Sequence, residues 1–76
     1  MTLYEGKKGE TYTAEYIDLE ENEKRRLEIL GLTHNAEVKI LNAQRNGSMI
    51  IKVRGTRFAI GKKFAMGIKT KGDKND

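Results

Sequence analysis

His34 is the only imidazole in the chain, and there is no cysteine. Nucleophilic catalysis needs a nucleophile, a base and a group that orients the base to converge. Ser48 and several threonines offer hydroxyls. The one available base, however, lies in His34-Asn35, a dipeptide that reads as a tight turn, with asparagine tolerating positive φ. No catalytic constellation is expected, and the chain does not read as an enzyme. Without cysteine there is neither a disulfide nor thiolate chemistry. A single histidine cannot build a metal site, and no spacing of Asp and Glu suggests an all-oxygen one. The expected sets of catalytic, metal-ligating and cofactor-binding residues are therefore empty.

The side chains left with chemistry to do are cations. The 76 residues include 15 Lys and Arg against 11 Asp and Glu, a net charge of +4. Residues 1–44 carry 6 basic against 9 acidic side chains, whereas residues 45–76 carry 9 against 2. A basic half of this kind suits nucleic acid, an anionic membrane surface or an acidic protein. The plainer reading is a solvated strand face. The candidate partner contacts are Lys24, Arg25 and Arg26 on a helix, and Lys52, Arg54 and Arg57 on outer strand faces. Arg26 has a structural alternative, its stem packed on the body and its guanidinium bonded to a carboxylate such as Glu23 or to a backbone carbonyl. Leu41 and Ile50 fall on the wet face of neighbouring strands and would add a small apolar patch to a docking surface. Their bland alternative is a satellite of the core under the helix.

These residues must be positioned by short elements. The centre of the chain is Arg25 to Leu41, where the period changes from helical to alternating. Asp18 to Leu30 is the one helical segment of useful length, with Asp18 and Glu21 spaced as a capping box and Asn22 as a second candidate cap. Acidic residues come early and basic ones late, as the helix dipole favours. Leu27 and Leu30 lie on one face with Ile29 beside them, too thin a stripe to be stable alone. Gly31 can end the helix in the left-handed conformation. Ala36, Val38 and Ile40 then alternate as the inner face of a strand. Glu10 to Ile17 is an earlier strand with Tyr12, Ala14 and Tyr16 inward and a bulge near Glu15-Tyr16. Asn46-Gly47 is a hairpin turn. It leads to Met49, Ile51 and Val53 inward, then a tight connection at Gly55-Thr56 and a strand with Phe58 and Ile60 inward. Gly61 to Gly67 reads as a helical turn that drops Phe64 or Ala65 onto the core. Ile68 to Lys71 closes against the first strand, and Leu3 and Tyr4 tuck a lead-in against the body.

Five strands, tight turns and two helical insertions predict an all-β fold, a small, partly open β-barrel of SH3-like or OB-like type, with one short helix and a helical turn. The expected organisation is one barrel domain over residues 1–71 and a disordered polar tail at 72–76. A chain this short buries only about 60% of its unfolded surface, so its stability should be modest. No apolar run approaches the roughly 20 residues of a membrane span, and the first residues lack a signal-peptide core. A cytoplasmic protein without membrane insertion is expected, monomeric or weakly self-associating.

At this level of detail the chain resembles the FeoA family of ferrous iron transport proteins. Three blocks carry the resemblance: Arg26-Leu27-Glu28-Ile29-Leu30-Gly31-Leu32-Thr33, Glu37-Val38-Lys39-Ile40-Leu41, and Ile51 through Ile60 followed by Ala65 and Ile68. The chain departs from the family pattern in places, Ile29-Leu30 standing where Glu-Met or Glu-Leu is usual. His34-Asn35 stands where Pro-Gly is usual, and Gly6 stands where an apolar residue is expected, which predicts a weakened N-terminal anchor on Leu3. The resemblance implies an SH3-like barrel, not an enzyme. It also implies an accessory or regulatory module of the FeoB-type membrane GTPase that transports ferrous iron, acting by contact with that protein's cytoplasmic part. The family is similar as well to the C-terminal SH3-like domain of iron-dependent repressors. Two other binding readings are weaker on the residues. Barrels that take nucleic acid use aromatic stacking platforms, and only three Tyr and two Phe are present, most needed inside. Proline-rich peptide grooves need aromatic pairs, and the chain has no Trp.

Overall fold

Gly31 ends the helix as expected, in the left-handed region at φ 97°. The Leu32 amide donates to the Leu27 carbonyl at 2.9 Å and the Gly31 amide to Glu28 at 2.9 Å. These are the two bonds of a Schellman motif, with buried Leu27 and Leu32 as its apolar contact. The computed structural model describes residues 1–71, so the expected polar tail at 72–76 lies outside the described residues. After a 3-10 turn at Leu3–Glu5 the elements are β1 (Thr11–Ile17), α1 (Glu21–Ile29), β2 (Glu37–Ala43), β3 (Met49–Val53), β4 (Thr56–Ile60), α2 (Lys62–Gly67) and β5 (Ile68–Thr70). The strands form one antiparallel sheet in the order β4-β3-β2-β1-β5. The last strand thus pairs with the first, as the sequence predicts.

The alternation places the core. Ala36, Val38 and Ile40 of the β2 segment, Met49, Ile51 and Val53 of β3, and Ile60 of β4 are all buried. Leu3, Ala14, Ile17, Leu27, Leu32, Ala65 and Ile68 complete the cluster, with Tyr12, Leu19, Phe58 and Phe64 packed around it. Asn35 takes the positive φ its turn requires, at 70°.

Four expectations are corrected. The helix starts at Glu21, with Glu20 as N-cap, and the Glu23 carboxylate accepts the Glu20 amide at 3.2 Å. The pair at the helix start is therefore Glu20-Glu23, not Asp18-Glu21, and Asn22 lies inside the helix rather than capping it. Asp18 is held instead by the end of α2, its amide donating to the Gly67 carbonyl at 2.7 Å. Second, Leu27 is the one buried side chain of the helix, since Ile29 and Leu30 are exposed. Third, the register of β1 against β5 shifts between Ala14 and Tyr16. This is the expected bulge, but it turns Tyr16 outward (59% exposed) and Ile17 inward. Fourth, Gly6 does not weaken the N-terminal anchor, because Leu3 is fully buried. A Cβ on Gly6 would come within 2.5 Å of Ile40 Cδ1 and 2.7 Å of the Tyr12 ring, so glycine is what lets the lead-in lie close to the sheet.

Candidate interaction surface

Strand register brings together residues that lie far apart in the chain. Lys39 of β2 is directly opposite Thr11 of β1 on one side and Lys52 of β3 on the other. Lys52 is in turn directly opposite Arg57 of β4. All three cations are exposed on the outer face of the sheet. Adjacent strands lie about 5 Å apart, so Lys39, Lys52 and Arg57 form a straight cationic row on three consecutive strands. Like charges directly opposite one another destabilise a sheet. Among the described residues the ion pair present is elsewhere, between Lys63 and Glu23 at 2.9 Å. Beside the row, Ile50 is opposite Ala59. Leu41 sits in a second irregularity of register, between Ile40 and Asn42.

The expected contacts do not form one surface. Lys52 and Arg57 share the row, and Leu41 and Ile50, expected to be exposed, are only half-buried beside it. Arg54 is not on an outer strand face, although it lines a groove with Lys39, Lys52 and Glu37. With Gly55 it forms the two-residue turn between β3 and β4, both residues at positive φ (52° and 82°), and Val53 pairs with Thr56 across it. This is the geometry of a type I′ hairpin. The Arg54 side chain reaches back, and its Nε donates to the Gly31 carbonyl at 3.1 Å. Lys24, Arg25 and Arg26 belong to α1. Lys24 is half-buried and lines a groove with Glu15, Tyr16, Glu28 and His34, while Arg25 is exposed. Arg26 is exposed at the rim of an apolar groove of about 210 Å³ that includes Leu27, Leu30, Phe58 and Phe64. The carboxylate proposed for Arg26, Glu23, is instead engaged by Lys63.

Lys39 is the member of the row that reading single strands misses. It alternates with buried Val38 and Ile40 like any solvated lysine, and only pairing across three strands shows its neighbours. The signal available in the chain is turn length. A two-residue turn at Arg54-Gly55 by itself places Lys52 opposite Arg57.

Electrostatics elsewhere are local. The Lys63 ammonium beside Glu23 holds that carboxyl below its ordinary value, and the Glu23 carboxylate raises Lys63. The Thr2 amide, with its hydroxyl, lowers Glu5. Among the described residues, no group of three His, Cys, Asp or Glu side chains is placed to hold a metal ion. No helix there is long and apolar enough to cross a membrane.

Comparison with known proteins bears directly on this geometry. A family model described as the FeoA domain matches residues 1–71. No curated protein matches the chain. Among solved structures, an iron uptake regulatory protein (FeoA) is 33% identical, covers 92% of this chain and 93% of its own, and superposes with a TM-score of 0.84. FeoA from Chlorobium tepidum is 28% identical over 92% of this chain and 68% of its own, with a TM-score of 0.85. FeoA from Stenotrophomonas maltophilia in complex with zinc is 26% identical over 93% of this chain and 89% of its own, with a TM-score of 0.77. That protein is described as an SH3 domain protein and as a candidate activating factor for bacterial ferrous iron transport.

Proposed function

This chain belongs to the FeoA family, and from that membership we propose that it is a non-enzymatic accessory protein of ferrous iron transport. It acts on the cytoplasmic side, by contact with the cytoplasmic part of a FeoB-type membrane GTPase. The observation that carries this reading is the family match over residues 1–71, supported by the likeness to a structure described as a candidate transport activating factor. The arrangement of side chains suits contact better than chemistry. His34 is an exposed turn residue, and Ser48 bonds Asn46 and Gln44 within its own turn. The surfaces offered to a partner are the outer sheet face, with Lys52, Arg57, Leu41 and Ile50, and the helix face with Lys24, Arg25 and Arg26.

The test is capture from a detergent-solubilised membrane extract of the native host, with the tagged protein as bait, with and without a GTP analogue. Recovery of the iron-transport GTPase is the expected result. A folded bait that recovers none in either nucleotide state, together with unchanged ferrous uptake when the gene is deleted, would overturn the reading.

A further inference from the structure

The outer sheet face combines two features that sit side by side. One is the row Lys39–Lys52–Arg57, three cations directly opposite one another on neighbouring strands. The other is the apolar step Ile50–Ala59 one pleat along, with Leu41 in the adjoining irregularity of β2. Lining up like charges weakens the sheet that holds them, and any anion laid along the row removes that repulsion.

We propose that this face is the docking site for an acidic protein segment in which carboxylates and apolar side chains alternate. The carboxylates lie along Lys39, Lys52 and Arg57, and the apolar side chains lie on Ile50, Ala59 and half-buried Leu41. Two observations favour a protein segment over the other polyanions. Nucleic-acid barrels need aromatic platforms, yet the outward residues around the row are Thr11, Ile50 and Ala59, none of them aromatic. Recognition of anionic lipid relies on clusters of roughly four to eight free cations, whereas here the groove beside the row mixes Lys39, Lys52 and Arg54 with the carboxylate of Glu37, and Arg54 is tied through its Nε to the Gly31 carbonyl. The inference rests on the docking reading above for the identity of the partner, and supplies the chemistry of the segment that partner presents.

The experiment follows backbone amide signals of the whole 76-residue protein by NMR during titration with three probes. These are a short synthetic peptide alternating glutamate with leucine, a single-stranded oligonucleotide of equal charge, and vesicles of phosphatidylserine and phosphatidylcholine. The peptide is expected to shift the amides of Lys39, Leu41, Ile50, Lys52 and Arg57, with an affinity that falls as salt is added. Lys52→Glu places a carboxylate between two cations, so it should weaken peptide binding about fivefold or more. The same change should raise the melting temperature by roughly 2–5 °C, because two repulsive cross-strand pairs become attractive. A variant that folds better and binds worse excludes misfolding as the cause. Lys71→Glu, with the same charge change beyond β5, should leave binding within about twofold. Unshifted row amides with the peptide would overturn the proposal. So would undiminished binding by Lys52→Glu, or a stronger response to the oligonucleotide or the vesicles. The peptide titration needs no transporter, so its failure removes this site while recovery of the GTPase still decides the docking reading.

Discussion

Arg54 holds a backbone conformation that glycine or asparagine would take at lower cost, with φ at 52°. What it gains there is reach, since its Nε bonds the carbonyl of Gly31 and ties the β3–β4 turn to the end of α1. Arg54→Ala keeps the strained backbone and loses the bond, so it should destabilise the protein by about 1 kcal/mol, read from the urea midpoint. Gly67 is constrained differently. A Cβ there would lie 2.8 Å from the Asp18 carbonyl oxygen and against the Leu19 side chain. The Asp18 segment cannot move aside easily, because its amide bonds the Gly67 carbonyl. Gly67→Ala should therefore cost roughly 1–3 kcal/mol by overpacking, measured by thermal or denaturant unfolding. Residues of this kind mark where sequence is hard to read. Gly31 and Asn35 are legible because local turn chemistry fixes them. Arg54 reads as a strand residue because arginine is a poor signal for a left-handed turn. Tyr16 reads as inward because a bulge shifts the alternation by one without changing the residue types.

The helix α1 shows how little holds an element in a domain this small. Its buried side chain is Leu27, and beyond that it depends on the Schellman bonds at its end and on Glu23 near its start. Leu27→Ala should cost about 2–5 kcal/mol, enough to unfold a marginal domain or detach the helix, visible as lost amide protection across α1. The Glu23–Lys63 pair links α1 to α2. The Glu23 side chain is 19% exposed but that of Lys63 is 68% exposed, so solvent screens the pair and its contribution is small. Its pH dependence has a definite sign. Glu23 is lowered from 4.5, so its contribution is present above that value and is lost as pH falls through the depressed folded value. Lys63 is raised from 10.5, so its contribution is present below that value and is lost as pH rises through the elevated one. Titration of the Glu23 carboxyl by NMR should show a lowered midpoint that moves back up in Lys63→Ala.

Across the whole molecule, the fold class and the cationic row differ in legibility for one physical reason. The core pattern repeats within each strand, so Val38, Ile40, Ile51 and Val53 declare themselves locally. The cationic row exists only between strands, so Lys39 has no local signature. A net charge of +4 with three cations aligned on one face should make the isolated protein more stable as salt is added, opposite to a fold held by surface ion pairs. The melting temperature should rise with sodium chloride, and the rise should be smaller in Lys52→Glu. One further feature bears on how the chain can be cut and rejoined. The Thr70 amide donates to the Met1 carbonyl at 2.7 Å and the Thr70 hydroxyl to the same oxygen at 3.1 Å, while Thr2 bridges to Lys69. The first residues and the last strand therefore meet at one point, on a different side of β1 from the β2 strand that starts the cationic row. A circular permutant that joins these ends through a short linker and opens new ones at Asn46-Gly47 keeps all the strand pairings, and should fold with the outer sheet face intact.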